Sequence, residues 1–274
     1  DDLKLVYRQL ESPNGLILNT GPTGSGKTTT LYSFLKYLLN PEKKIITIED
    51  PIEYRIKGME QTQVDPSSDY TFAKGLRAIV RQDPDVILVG EIRDLETAEI
   101  AMQAALTGHV VFSTLHTNDA VGAVPRLVDL GVKTATIGPA LSLVIAQRLV
   151  RKLCDDCKKL RELSAEEKEK AKKFLEKLPK RVDQAAFKDF TVYEPAGCEK
   201  CNHFGYKGRS GIFEFLEAGA TFEETILREA SEIALSKLAK EQGMVTMQED
   251  GVLKVLKGMT TFDEVKEVTG PIEW

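Results

Sequence analysis

A glycine-rich segment near the start of the chain constrains the fold more than any other feature. The apolar run 16–18 before it predicts a buried strand, and residues 28–39 after it predict a helix with one apolar face. This strand–loop–helix order is the context in which the pattern G-x-x-x-x-G-K-[ST] binds phosphate. The segment comprises Gly21, Pro22, Thr23, Gly24, Ser25, Gly26, Lys27 and Thr28. We therefore predict a nucleoside triphosphate site, with a chance glycine-rich turn as the weaker alternative.

The residue types of this phosphate loop each have a physical role. Glycines let the backbone turn tightly and point successive N–H groups at phosphate oxygens. The helix that follows adds partial positive charge at its first turn. Lys27 is expected to reach the β and γ phosphates, and the Thr28 hydroxyl to bind Mg²⁺. ATP and Mg²⁺ are therefore the expected ligands.

The composition is that of an ordinary folded protein. The chain has 274 residues, of which 42% are hydrophobic and 29% charged, enough to form one large or two modest domains. Its formal net charge of −5 provides no overall basic field to attract nucleic acid or an anionic membrane. Neither a signal peptide nor an apolar run of membrane-spanning length is evident in the sequence.

Short apolar strands alternate with amphipathic helices up to about residue 150, as in a mostly parallel α/β sheet. Beyond the first strand and helix, the pattern predicts strands at 45–48, 86–89 and 110–112, and helices at 72–81, 94–108, 119–130 and 139–149. Capping boxes are predicted at Ser164, Thr246 and Thr261. The expected domains are a core at 1–150, a cysteine-rich subdomain at 151–216 and a helical subdomain at 217–274.

The later strands of the predicted core end in acidic and polar residues. The second strand leads into Glu49, Asp50 and Glu53, the third into Glu91, and the fourth into His116. Ligands of open parallel sheets bind beyond the carboxyl ends of the strands. Polar residues are also common at strand ends for structural reasons, but beside a phosphate loop they predict a hydrolytic site.

Hydrolysis of ATP requires Mg²⁺, an oriented water molecule and positive charge near the transferred phosphate. Glu91 follows a hydrophobic strand, which is the element that completes Mg²⁺ binding, although an aspartate is more common there. Pro51 is expected to fix the turn that directs Glu53. His116 is a candidate γ-phosphate contact, and a structural loop histidine is the alternative.

Arg77 and Arg81 are candidate catalytic residues on the polar face of the helix predicted at 72–81. Such a pair is usually solvated or in salt bridges. In a ring-shaped NTPase it would instead reach the γ-phosphate of a neighbouring subunit. Arg55 and Arg93 are further candidates for this role.

Two cysteine pairs predict a metal site. Residues 158–197 separate them, a longer spacing than is usual in zinc ribbons, and a predicted helix after Ser164 accounts for the excess. Four thiolates suit tetrahedral Zn²⁺ with no open position, so we expect a structural zinc, with disulfides or free thiols as alternatives. His203 is expected to be a bystander. The predicted ligands are Cys154, Cys157, Cys198 and Cys201.

Motifs along essentially the whole chain resemble one family. They are GPTGSGKTT, IEDPIEY, LRAIVRQDPDVILVGEIRD, LTGHVVFSTLHTND, IAQRLV, the two cysteine pairs, GRSGIFE and EQGMVTMQEDG. Together they resemble the GspE/PilB family of ATPases of type II secretion and type IV pilus assembly. The resemblance implies an α/β fold: a RecA-like P-loop NTPase core with an inserted tetracysteine zinc-binding subdomain and a helical C-terminal subdomain.

The resemblance also implies roles and partners. Glu53 corresponds to the general base, Glu91 to a ligand of Mg²⁺ or water, and His116 to a γ-phosphate contact. Whether Glu53 or Glu91 is the base stays open. The family works as a homo-hexamer at the cytoplasmic face of the inner membrane, against a membrane platform protein, and no nucleic acid partner is expected.

Two departures from the family pattern affect these expectations. Family members carry an N-terminal domain that closes over the nucleotide, but only 20 residues precede the phosphate loop here. Contacts to adenine and ribose are therefore not expected from this chain. The cysteine pairs resemble the assembly and secretion branch, because the retraction ATPases lack them.

A DNA-translocating RecA-like ring ATPase is the alternative function, because it shares the core fold. It would require a basic channel, and the charge of −5 without interleaved aromatic and basic residues argues against it. A zinc-ribbon interaction module with a degraded nucleotide site is disfavoured, because the candidate carboxylates are all present. Whether the product is a pilus, a secretion pseudopilus or a DNA-uptake filament stays open.

Overall fold

A seven-stranded sheet carries the phosphate loop. The computed structural model describes residues 2–187 and 190–274. The sheet has the order β3-β2-β4-β5-β1-β6-β9, and β7 pairs separately with β8. The pairings of β1 with β5 and β6, of β2 with β3 and β4, and of β4 with β5 are parallel. The strands are β1 (Gly15–Thr20), β2 (Ile45–Glu49), β3 (Glu60–Gln63), β4 (Val86–Val89), β5 (Val110–Leu115), β6 (Leu141–Leu153), β7 (Lys159–Arg161), β8 (Val192–Glu194) and β9 (Tyr206–Glu217).

Helices connect these strands and form much of the C-terminal region. Within the described ranges, no helix combines the length and the apolar character that crossing a lipid bilayer requires. The α-helices are α1 (Asp2–Leu10), α2 (Lys27–Leu38), α3 (Phe72–Val80), α4 (Leu95–Leu106), α5 (Ala123–Asp129), α6 (Thr134–Ala140), α7 (Ala165–Lys177), α8 (Ala220–Arg228), α9 (Glu232–Glu241), α10 (Met247–Leu256) and α11 (Phe262–Thr269). Short 3₁₀ helices cover Pro66–Ser68, Gln184–Phe187 and Glu199–Cys201.

The central strands confirm the predicted α/β sheet. β1, β2, β4 and β5 are buried along their whole length, as expected for parallel strands covered on both faces. Helix α3 packs closely on β2 at Gly75, where an added Cβ would lie 2.1 Å from Ile48 Cδ1. The predicted cap of α4 is also confirmed, because the Asp94 carboxylate accepts from Thr97 N at 2.8 Å. Helix α5 is shorter than the predicted 119–130.

The helix predicted at 139–149 is wrong. Helix α6 ends at Ala140, and the chain continues as β6 from Leu141. This strand lies between β1 and β9, so residues 143–147 are buried on both faces and show no alternation of apolar and polar residues. A short, uniformly apolar run does not distinguish a buried strand from a buried helix by its periodicity.

The described residues fall into two compact units. The first comprises residues 1–146 and 215–242, and the second 147–214 and 243–274. Helices α8 and α9 therefore group with the nucleotide core, and α10 and α11 with the cysteine-rich segment. The division into 1–150, 151–216 and 217–274 stays a prediction.

The second unit has a hydrophobic core of its own. Helix α7 contributes Phe174 and Leu175, while α10 contributes Val252 and Val255 to the same buried cluster. The predicted capping box of α7 is confirmed: Ser164 Oγ accepts from Glu167 N, and the Glu167 carboxylate accepts from Ser164 N. The inserted helix and the C-terminal helices are thus joined by apolar packing.

Candidate functional site

Hydrogen bonds join the carboxyl ends of four neighbouring strands, in the order β2-β4-β5-β1. These bonds run from Gly90 N to Ile48 O (2.8 Å), from Ile92 N to Thr114 O (3.0 Å) and from Thr117 N to Thr20 Oγ1 (2.9 Å). The phosphate loop and the segments that follow β2, β4 and β5 consequently lie along one edge of the sheet. The sequence predicted this shared edge.

The phosphate loop has the backbone that its glycines permit. Gly24 and Gly26 have φ angles of 79° and 90°, in the left-handed region that side chains disfavour. Helix α2 begins at Lys27, directly after Gly26. The Lys27 ammonium donates to the loop carbonyls of Gly21 (2.7 Å) and Pro22 (3.0 Å), so its charge is held at the loop. The Thr28 hydroxyl lies in the first turn of α2.

The Glu91 carboxylate is at the centre of a charged group beyond β4. Arg93 Nη2 lies 2.5 Å from Glu91 Oε1, and His116 Nε2 lies 3.6 Å from Glu91 Oε2. The hydrogen bond to Glu91 raises the pKa of Arg93 above its ordinary value against the effect of partial burial, and the Asp50 charge adds to the increase. The structure therefore brings the predicted Glu91, His116 and Asp50 together around Arg93.

Glu49 is directed into the interior. Its side chain is buried, with the Tyr32 hydroxyl donating to Oε2. Thr47 Oγ1 donates to Glu49 Oε1 at 2.6 Å, and Gln61 Nε2 donates to the same oxygen at 3.2 Å. Burial and the bond to Glu49 raise the pKa of Tyr32 well above its ordinary value. Asp50 and Glu53, in contrast, are exposed on the loop after β2.

Arg77 and Arg81 are not brought to this edge of their own chain. Arg77 Nη1 pairs with Glu96 Oε1 at 2.7 Å on the surface, and Arg81 is exposed just after α3. The first residue of α3 is Phe72, which lies against Gly90 at the strand ends. Nine residues of helix place Arg81 roughly 13 Å further along the helix axis. Arg93 is the candidate arginine at the site, and its signal in the sequence is its position two residues after Glu91.

The four cysteine thiols converge in the second unit. Their Sγ atoms all lie within 4.8 Å of one another, and the structure describes all four as free of disulfides. The distance is 4.0 Å from Cys154 to Cys198, and 3.8 Å from Cys201 to both Cys157 and Cys198. Zn–S bonds of about 2.3 Å put the corners of a tetrahedron about 3.8 Å apart. The geometry is therefore compatible with a tetracysteine zinc site.

Backbone groups around the second cysteine pair favour a thiolate. Cys201 Sγ accepts from Cys198 N at 3.2 Å and from Gly205 N at 3.3 Å. Burial opposes ionisation, but these N–H groups lower the pKa of Cys201 to about 6. Gly205 has a φ of 75°, and a Cβ there would lie 2.4 Å from Pro195 Cβ. Only glycine therefore allows its N–H to approach this sulfur without displacing Pro195.

A parallel sheet with a phosphate loop between β1 and α2, and with carboxylates beyond β2 and β4 at the same edge, defines a RecA-like P-loop nucleotide-binding domain. The chain belongs to the family described as Type II/IV secretion system protein, which matches residues 1–267.

Relatives with curated descriptions agree with this membership. The chain is 52% identical over 262 residues to the type II secretion system ATPase E of Vibrio cholerae, covering 96% of this chain and 50% of the relative. It is 46% identical over 256 residues to the type IV pilus assembly ATPase PilB of Thermus thermophilus, covering 93% of this chain and 28% of the relative. The chain spans about half the length of the type II secretion relatives that it matches.

A solved structure supports the fold. The pilus retraction motor PilT with bound ADP aligns with a TM-score of 0.68 and 30% identity, covering 99% of this chain and 65% of PilT. The fold of this chain thus has a counterpart in a known motor protein, as the sequence predicted for the core.

Proposed function

We propose that this chain is the ATP-hydrolysing region of a hexameric motor that drives assembly of a type IV pilus or of a type II secretion pseudopilus. The observation that carries the proposal is the shared edge of the sheet, along which the phosphate loop, His116, Glu91 and Asp50 follow the strands β1, β5, β4 and β2. Family membership and the names of the relatives support the choice of ATP and of a secretion or pilus machine.

Each residue of the edge has a proposed part in hydrolysis. Lys27 and the N–H groups at the start of α2 bind the phosphates and neutralise charge that develops on the γ-phosphoryl oxygens. The Thr28 hydroxyl together with Glu91 and Asp50 would hold Mg²⁺, which would supply positive charge to the phosphates. Glu53 accepts a proton from the attacking water as general base. His116 orients toward the γ-phosphate from the end of β5.

Arg93 gives the edge a cation in addition to Lys27. Its bond to Glu91 fixes the orientation of that carboxylate and offsets the repulsion between Glu91 and Asp50. Glu49 is proposed to contribute to nucleotide binding, both through its buried hydrogen bonds and through its charge. Arg77 and Arg81 are proposed to act in catalysis on the site of a neighbouring subunit.

Zinc is proposed as a structural ion of the second unit. The four thiols supply a complete tetrahedral ligand set, so the ion would link the loop after β6 to the turn before β9 and perform no chemistry. The cysteine pairs favour an assembly or secretion motor over a retraction motor, as the family resemblance implies.

The partners are proposed on the same basis. A homo-hexamer at the cytoplasmic side of the inner membrane, working against a membrane platform protein, fits the secretion and pilus-assembly names of the relatives. No nucleic acid partner is proposed, because the chain has a net charge of −5.

Phosphate release from MgATP by the purified protein tests the proposal. Lys27→Ala should weaken nucleotide binding, because it removes the cation that faces the phosphates. Glu53→Gln should keep nucleotide affinity and lower the rate by about 10²–10⁴. Lys237→Ala is the matched control, because Lys237 is exposed on α9. Hydrolysis by Glu53→Gln at the unsubstituted rate would move the general base elsewhere, with Glu91 next.

A further inference from the structure

The loop that carries Glu53 depends on side chains outside it for its shape. This Glu53 loop, residues 50–56, contains neither helix nor strand, and most of its residues are exposed. A segment without regular backbone hydrogen bonds needs other partners to adopt one conformation. Those partners come from strand β3 and helix α2.

Strand β3 holds the loop at three backbone groups. Gln61 Oε1 accepts from Ile56 N at 2.7 Å, and Gln61 Nε2 donates to Tyr54 O at 3.2 Å. Gln63 Oε1 accepts from Ile52 N at 3.2 Å. The bonded residues lie on both sides of Glu53, so they restrict the position from which its side chain extends.

Helix α2 holds the loop at Tyr54, the residue directly after Glu53. The Tyr54 ring packs edge-on against the Tyr32 ring at 4.8 Å, and the Glu53 backbone lies close enough to the Tyr32 hydroxyl to offset part of the rise in its pKa. Tyr32 is fully buried and lies five residues after Lys27 on the same helix. The helix that begins at the phosphate loop therefore contacts the residue that directly follows the proposed general base.

The Gln61 amide joins these two supports. Besides its bonds to the loop, its Nε2 donates to Glu49 Oε1 at 3.2 Å and lies 3.4 Å from the Tyr32 hydroxyl oxygen. An amide is able to donate and accept at once, whereas a carboxylate of the same length only accepts and a thioether offers no N–H. The chemistry of this position consequently requires glutamine.

We propose that Gln61 is a positioning residue for ATP hydrolysis, which, together with the Tyr32 hydroxyl, holds Glu53 at the place from which it activates water. The inference rests on the proposed function of Glu53 as general base. Gln61 touches neither nucleotide nor water in this role and acts through the Glu53 loop. Through Tyr32 it also ties the position of Glu53 to the helix that begins at the phosphate loop.

The expected effect is a loss of turnover without a loss of nucleotide binding. Gln61→Met keeps the length of the side chain. It removes the two hydrogen bonds to the Glu53 loop and the one to the Glu49 carboxylate. Displacing a catalytic group by about 1 Å costs about 10²-fold in rate, so we expect kcat to fall by that order while KM for MgATP and affinity for a fluorescent ADP analogue stay unchanged. Tyr32→Phe should do the same, because it removes the hydroxyl that lies beside the Gln61 amide and the Glu53 backbone. Gln103→Met, on the exposed face of α4, is the matched control.

The decisive measurement places each substitution in a Glu53→Gln background. If Gln61 acts through Glu53, the double variant should be no slower than Glu53→Gln alone, because the group being positioned is already lost. A reduction that multiplies with that of Glu53→Gln would overturn the inference. Thermal unfolding of each variant identifies any that fail to fold, and Tyr32→Phe then decides in place of Gln61→Met.

Failure of this inference is distinguishable from failure of the proposed function. A slow Glu53→Gln protein together with Gln61→Met and Tyr32→Phe proteins of unchanged kcat overturns the positioning role alone. A Glu53→Gln protein of unchanged kcat overturns the role of Glu53 and the positioning role with it.

Discussion

The hydroxyl of Thr20 lies 2.6 Å from the hydroxyl of Thr117. Thr20 is the last residue of β1, directly before the phosphate loop, and Thr117 directly follows His116. Thr20 Oγ1 also accepts from Thr117 N at 2.9 Å. The pair thereby fixes the backbone next to His116 relative to the start of the phosphate loop.

Thr20→Val should lower both stability and turnover. Valine keeps the shape of threonine, but it leaves the Thr117 N–H without its acceptor, which costs about 1–3 kcal/mol in the free energy of unfolding. The Thr117 hydroxyl loses Thr20 and keeps its bond to Asp119 O. Loss of the bond also releases the backbone beside His116, so phosphate release from MgATP should slow. Urea unfolding and a steady-state assay measure the two effects.

Thr225→Val is the control for this substitution. Thr225 is half-buried on α8, and its hydroxyl donates to Thr221 O of the same helix at 2.7 Å. Its replacement should leave turnover unchanged. Equal stability and turnover for Thr20→Val and Thr225→Val would show that the Thr20–Thr117 pair does not fix the His116 segment.

Metal analysis of the purified protein should give about one zinc ion per chain, because four thiolates complete one tetrahedral site. Cys198→Ser should lower the unfolding temperature, and a chelator should lower that of the unsubstituted protein. Nucleotide affinity should change little in either case, because the cysteines lie outside the unit that carries the phosphate loop. A Cys154–Cys157 disulfide in metal-free protein would contradict the structural zinc.

Glu264 should make the stability of the second unit depend on acid pH. Burial alone would raise the pKa of this carboxyl, but Arg151 donates to it from Nε at 2.9 Å and from its backbone N at 2.9 Å, and the pKa falls below the ordinary 4.5. The folded protein thus holds the ionised form more strongly than the unfolded chain does. This stabilisation is present above about pH 4.5 and is lost as the pH falls through the lowered pKa.

Glu264→Gln should therefore reduce the free energy of unfolding near neutral pH, by about 1–3 kcal/mol for the weakened bonds, and should flatten its decline in acid. Glu267→Gln is the matched control, because Glu267 is exposed on the same helix. Urea unfolding from neutral to acid pH measures both. A decline in acid that is as steep in Glu264→Gln as in the unsubstituted protein would contradict the assignment.

Local signals in the sequence determined most of the sheet. The phosphate loop, the buried runs of β2, β4 and β5 and the Asp94 cap each contain their own evidence within a few residues. Strand β6 did not, because its buried run is equally compatible with a helix until its neighbours β1 and β9 are known. The edge strand β3 has the sequence EQTQ, which lacks an apolar pattern and was missed.

The candidate site shows the same limit. Residues that follow strands could be predicted to share an edge, because parallel strands align their carboxyl ends. Side-chain pairing could not be predicted: Thr261-x-x-Glu264 indicated a capping box, and Thr261 does accept from Glu264 N, but the Glu264 carboxylate binds Arg151 more than one hundred positions away. The inward direction of Glu49 likewise depends on Gln61, in a strand that the sequence did not reveal.

Mixing two inactive variants tests which arginine acts between subunits. The charge on the γ-phosphoryl oxygens exceeds what Lys27 and Mg²⁺ neutralise, so a ring NTPase usually needs a further cation from a neighbour. Arg81 is exposed and lies away from its own strand-end edge, whereas Arg93 is bonded to Glu91 at that edge. We therefore expect Arg81, or Arg77 on the same helix face, to act in trans and Arg93 to act in cis.

A mixed assembly of Lys27→Ala and Arg81→Ala subunits contains sites in which Lys27 comes from one subunit and Arg81 from its neighbour. Those sites are complete, so mixing should restore part of the ATPase activity, and the activity should rise with protein concentration. A mixture of Lys27→Ala and Arg93→Ala is the matched control and should stay inactive, because each site lacks either the lysine or the arginine. Recovery in the Arg93 mixture would reverse the assignment. Inactivity of both mixtures, with unsubstituted activity independent of dilution, would indicate a site completed within one subunit.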